Sequence, residues 1–173
     1  MKKALLAIVL LSGTLIVSGQ TNPVDQMFDK YSEKEGFTVV SISSKMFSML
    51  SRLDTDNENA DNIIHNLNSI KILSVKDSLL NKGINFYTEL MKKLNTGQYE
   101  ELMVVKEGPD ITKFLVKYNG DRIAELLVVT GGPDGNSLIS IKGSLSLKNI
   151  SDLSKSMDIK ELEGLEKVEK KGK

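Results

Sequence analysis

Asp54, Asp56, Glu58 and Asp61 crowd into eight residues, interleaved with Thr55, Asn57 and Asn59 and with no basic side chain among them. Oxygen donors at alternate positions are how a calcium loop begins, so Asp54, Asp56 and Glu58 form a weak calcium candidate. The pattern then departs from such a loop. Its sixth position is Asn59, where a sharp turn takes glycine, and its twelfth is His65, where a bidentate glutamate belongs. A solvated surface loop is the simpler reading of the same residues. His65 is the only histidine and the only side chain whose ordinary pKa lies near neutrality. It sits between Ile64 and Leu67 among asparagines, the setting of a surface or boundary residue. A zinc site takes three or four ligands, which one histidine and scattered carboxylates do not supply.

Other routes to catalysis are equally thin. Gly131-Gly132-Pro133-Asp134-Gly135 resembles an anion-cradling turn but lacks the Lys-Ser/Thr pair of a P-loop, and reads more simply as a long hairpin turn. No serine lies in a Gly-x-Ser-x-Gly elbow. The chain has no cysteine, which excludes disulfides, thiolate metal sites and a thiol nucleophile together. Carboxylate pairs remain: Glu100 and Glu101 precede one β-rich run, and Glu107, Asp110, Asp121 and Glu125 flank the turns between others. A glycosidase needs two acids facing each other across a cleft, and nothing in their spacing indicates that any pair does. No catalytic residue and no cofactor are assigned.

The elements that must position these residues fall into two halves. Asn22-Pro23 offers an N-cap and first helical residue, with Val24, Met27, Phe28 and Tyr31 at helical spacing over 23–34. Phe37–Ile42 is a β-rich run. Ser43-Ser44 opens a helix carrying Met46, Phe47, Leu50 and Leu53, and Ile63, Ile64, Leu67 and Ile70 make a further helical stripe. A strand at 70–75 and a helix from Asn85 to Leu94 follow. The second half holds four β-rich segments, at 99–107, 112–118, 122–130 and 137–147. Asn119-Gly120 between two of them is a strong hairpin signal, and strands joined so tightly must be antiparallel. A helix from Asn149 to Met157 closes the domain.

The expectation is a single α+β domain, with helices against one face of a mixed sheet whose C-terminal half is an antiparallel meander. Residues 20–157 form it. Residues 158–173 are a charged amphipathic tail, with ten charged side chains threaded by Ile159, Leu162, Leu165 and Val168.

Residues 1–19 carry an address. Met1-Lys2-Lys3 is a positive n-region, Ala4–Val17 is an uncharged apolar run, and Val17-Ser18-Gly19 suits signal-peptidase cleavage. The apolar run of 14 residues is short for a membrane span, which needs about 20. Cleavage leaves 154 residues with 21 bases against 23 acids, a formal charge of −2. That balance gives no basic surface for nucleic acid, and the mature chain has no run of spanning length. Lipid attachment after cleavage requires a cysteine, so no lipid anchor is expected.

The stretches MFDKYSEKEGFTVVSISSKMF, LNSIKILSV, YEELMVVKEG, FLVKYNGDRIAELLVVTGG and LISIKGSLSLKNISDLSKSM together resemble the Bacteroidetes domain-of-unknown-function family 4252. The resemblance spans about residues 24–157 and implies a small exported protein of the cell envelope, with no activity or catalytic residue to carry over. Many members are lipoproteins with a cysteine where this chain has Gly19-Gln20. The functional expectation is an exported protein, periplasmic or extracellular, that binds a ligand or an envelope protein and is not an enzyme. The alternatives are a small hydrolase using acidic residues and a self-associating structural component.

Overall fold

In a computed structural model, residues 22–52, 58–75 and 77–157 are described. Helix α1 (Pro23–Tyr31) starts where the sequence says: the Asn22 side chain accepts the Val24 N–H at 3.0 Å, and Pro23 takes the position that needs no amide. The edge strand β1 (Phe37–Ile42), helices α2 (Ser44–Leu50) and α3 (Glu58–Asn66), and strand β2 (Leu67–Val75) follow. The strand therefore claims Leu67 and Ile70, which periodicity alone placed on the preceding helix. Both residues are buried in either reading, so their spacing could not choose between them.

Next come α4 (Ser78–Gly83) and α5 (Phe86–Met91). Sequence reading missed α4, a single short turn nucleated by Asp77, whose carboxylate accepts the Leu79 and Leu80 N–H groups. The strands β3 (Glu100–Glu107), β4 (Asp110–Asn119), β5 (Arg122–Gly131) and β6 (Asn136–Leu145) and helix α6 (Leu147–Met157) complete the order. Gly120 in the β4–β5 turn has φ 59°, a conformation open to glycine and costly for other residues.

The six strands form one sheet in the order β1-β2-β6-β5-β4-β3. The α+β domain and its antiparallel C-terminal meander are as the sequence indicated. The sheet is antiparallel throughout rather than mixed. Strands β2 and β3 do run in the same direction, as a strand–helix–strand order suggests, but three strands separate them. The α4–α5 segment carries the chain across the sheet to its far edge, and the meander then walks back until β6 closes against β2.

Helices also cover both faces rather than one. Phe47, Ile63, Ile150 and Leu153 from α2, α3 and α6 pack on Ile70, Phe114, Leu126, Val128, Ile139 and Ile141. On the opposite face, Val24, Met27, Phe28 and Tyr31 of α1 and Phe86 and Leu90 of α5 pack on Leu73, Leu115, Leu127, Val129 and Leu138. The run Leu126–Val129 is fully buried residue after residue. An uninterrupted apolar strand is the mark of a strand covered on both sides, whereas a half-exposed one alternates. One row of the α2/α3/α6 face is polar. Thr38, Ser74, Ser137, Thr130 and Thr112 stand opposite one another across five neighbouring strands. The hydroxyls of Thr112 and Thr130 are bonded at 2.9 Å.

Candidate functional site

Ionisable side chains from four elements converge beneath α1. Cross-strand register puts Lys71 of β2 opposite Ser140 of β6, and Glu125 of β5 opposite Lys142 of β6, all on the face that α1 covers. Asp25, in the first turn of α1, receives Lys71 Nζ at 2.7 Å and lies 3.7 Å from Lys142 Nζ. Lys142 Nζ is also 3.9 Å from Glu125. Glu125 is only 5% exposed. Its Oε1 accepts from Ser140 Oγ at 2.7 Å and its Oε2 from the Tyr99 hydroxyl at 2.9 Å. A carboxylate this buried stands only when each oxygen has a donor, and here each has one.

The electrostatics follow from the contacts. Partial burial opposes ionisation of Asp25, but the Lys71 hydrogen bond and the nearby Lys142 charge outweigh it and hold the carboxyl below its ordinary value. Burial pushes the Tyr99 phenol up, and the negative charge of Glu125 adds to the effect, so the hydroxyl stays protonated and donates. Asp25 also sits where negative charge complements a helix dipole. The two carboxylates thus share one ammonium, but Glu125 is occupied by protein donors on both oxygens. The arrangement is a clamp that seats α1 on the sheet. Stability that depends on a depressed carboxyl is present above its unfolded value, about pH 4, and is lost as pH falls through the folded one. Asp25→Asn should therefore lower stability at neutral pH by about 1 kcal/mol, the size of a partly exposed ion pair, and flatten the acid limb of the stability curve. Thermal melts across that acid range check both effects.

A second polar cluster surrounds Asn136, at the start of β6. Its Oδ1 accepts the Phe86 N–H at 2.8 Å, and its Nδ2 donates to Gly132 O at 2.9 Å and Asn81 Oδ1 at 3.1 Å. This ties the β5–β6 turn to the α4–α5 junction. Gly131 and Gly132 are needed for the fit: a Cβ on Gly131 would lie 2.6 Å from the Tyr87 amide nitrogen, and one on Gly132 would overlap Asp110. The same junction encloses a shallow cavity of 260 Å³ lined by Asn81, Lys82, Gly83, Ile84, Asn85, Gly132 and Pro133.

The residues singled out from sequence are dispersed. Asp54 and Asp56 lie outside the described residues, and Glu58 opens α3 with its side chain outside them too. His65 is exposed in the last turn of α3. Glu100 and Glu101 stand on the exposed β3 edge, and Glu101 pairs with Lys113 at 2.9 Å. Glu107 and Asp110 face each other across the β3–β4 turn, where Asp110 accepts the Asp134 N–H at 3.2 Å. Asp121 is exposed. Glu125 alone is drawn into a cluster, with Asp25, Lys71, Tyr99, Ser140 and Lys142, none of which sequence reasoning had marked. The available signal was Glu125 itself, a charge immediately before the apolar run Leu126–Val129. Among the described residues, no three histidine, cysteine or acidic side chains are grouped to hold a metal ion, and no helix is long and apolar enough to cross a membrane.

Fold and site together define a small α+β scaffold: a six-stranded antiparallel sheet, helices on both faces and a salt-bridged clamp beneath α1. The model of the family described as "Domain of unknown function (DUF4252)" matches residues 31–153, and the chain belongs to that family. No curated protein and no solved structure matches it.

Proposed function

We propose that this is an exported cell-envelope protein, periplasmic or extracellular, that acts by binding another protein. The observation that carries the binding role is the surface around β1 and α2. Val40 is 40% exposed, and Met46 and Met49 of the adjoining helix are 48% and 59% exposed. Exposed apolar side chains close together on a surface are the usual mark of an interaction site, and methionines suit such surfaces because they repack easily. Export is supported by the n-region, apolar run and small-residue site of residues 1–19.

The intact mass of the protein recovered from the periplasm or medium of an expressing cell tests the first half. The expected mature chain begins at Gln20. Full-length protein confined to the cytoplasm would overturn export. For the second half, the immobilised mature chain should retain a protein partner, whether a second copy of itself or a different envelope protein, that a Val40→Lys variant does not. Equal retention by both would remove the β1–α2 surface from the proposal.

A further inference from the structure

The two edges of the sheet are built differently. The outer edge of β3 carries Glu100, Glu101, Lys106 and Glu107, all exposed. Charges on an edge are the common guard against unwanted strand addition. The other edge, β1, reads Phe-Thr-Val-Val-Ser-Ile, with no charge, no proline and no glycine. Among the described residues it pairs with β2 on one side only, and Val40 and Ser41 are exposed. The Phe37 N–H donates to Lys34 O at 3.4 Å; beyond it, an edge strand of this composition can offer its outer amides and carbonyls to any strand that lies beside it.

We propose that β1 pairs antiparallel with β1 of a second copy of this chain, continuing the sheet across a two-fold axis at Val40. This rests on the binding role proposed above and names the partner. An antiparallel edge-to-edge pair requires the axis to stand normal to the sheet, which keeps each face continuous across the junction. Residues of like parity then meet. With the axis at Val40, Val40 faces Val40 of the second copy, Val39 faces Ser41, and Thr38 faces Ile42. β-branched residues and hydroxyls fill every such pair, and no like charges meet, as self-complementary contact demands.

The flanking surface fits the same axis. Val40 stands opposite Ile72, so it lies on the face where α2 packs through Phe47 and Leu50. The two-fold therefore brings α2 of both copies to one face beside the junction, and Met46 and Met49 can add apolar area to the strand pair. That addition matters, since stable interfaces bury about 1,200 Å² or more and six residues of strand pairing fall short of it. With a formal charge of only −2 on the mature chain, long-range repulsion between copies is small.

The absence of native cysteine makes a clean test. Opposite residues in an antiparallel pair have Cα atoms about 4.5–5.5 Å apart, inside the range a disulfide spans. Val40→Cys should form a covalent dimer on mild oxidation, far faster than the control Lys106→Cys on the opposite edge. Light scattering should give the wild-type mature chain twice its monomer mass. Val40→Lys, which sets two ammonium groups against each other at the axis, should raise the dimer dissociation constant at least about tenfold while the circular dichroism melt is kept. A wild-type chain that stays monomeric, equal cross-linking at the two edges, or a Val40→Lys dimer of unchanged strength would each overturn the pairing. Should Val40→Lys not fold, the cross-linking comparison decides. A monomer that still retains an envelope protein through the β1–α2 surface would leave the binding role standing and refute only its assignment to a second copy.

Discussion

Glu125→Ala is expected to destabilise the protein by about 3–5 kcal/mol, the order of two hydrogen bonds lost from a buried carboxylate. The substitution leaves the Tyr99 hydroxyl and Ser140 Oγ without their acceptor, and each hydrogen bond to a buried charge is worth about 1.5–3 kcal/mol. Lys142 keeps Asp25 as a partner, so the loss stops short of stranding a lysine. For a domain of this size that is a fall in melting temperature on the order of 10 °C. Glu125→Gln keeps a carbonyl acceptor and should cost less than half as much. Urea unfolding checks the order wild type, Gln, Ala. A Glu125→Ala/Tyr99→Phe cycle should show coupling above about 1 kcal/mol, because the two groups share one bond. An Ala variant as stable as wild type would mean the cluster does not hold the sheet and α1 together.

Asn136→Ala should cost about 3 kcal/mol, for a different reason. Asn136 is 3% exposed, and its amide satisfies the Phe86 N–H, Gly132 O and Asn81 Oδ1 at once. Each buried partner left unsatisfied costs about 1–3 kcal/mol. The loss is local, so amide exchange should speed up in α4 and at the start of α5 before the rest of the domain is affected. Asn136→Asp separates packing from donor chemistry. It keeps the shape and the acceptor for Phe86 but turns the Nδ2 donor into an oxygen facing Gly132 O and Asn81 Oδ1. It should therefore be at least as damaging as alanine. An Asp variant near wild-type stability would show that the donated bonds contribute little.

The two clusters differ in how far the sequence announced them. Asn136 closes a Gly-Gly-Pro-Asp-Gly-Asn turn whose loop character was plain, but its reach to Phe86 spans 50 residues, beyond any local pattern. The clamp is still less local. Asp25 and Lys71 are 46 residues apart, and Lys142 reads on paper as an ordinary surface lysine after an apolar run. Only the return of β6 between β2 and β5 sets Lys71, Lys142 and Glu125 side by side. The helix boundary at Leu67 shows the opposite problem: the local pattern was present and served two elements equally well.

Local chemistry was sufficient wherever a residue and its immediate neighbours decide the outcome. Asn22-Pro23 starts a helix, Asn119-Gly120 turns a hairpin, the β-rich runs of the second half become a meander, and the missing cysteine excludes thiol chemistry in any fold. Tertiary structure alone decided that the sheet is antiparallel throughout, that helices cover both faces, and which ionisable groups meet. Those outcomes depend on strand order, and strand order is set by burying every apolar face of the chain at once, a condition no single segment expresses. The acidic residues illustrate the difference: Asp54–Asp61 crowd along the chain, while Asp25 and Glu125, which meet around Lys142, lie a hundred residues apart and are joined by the fold.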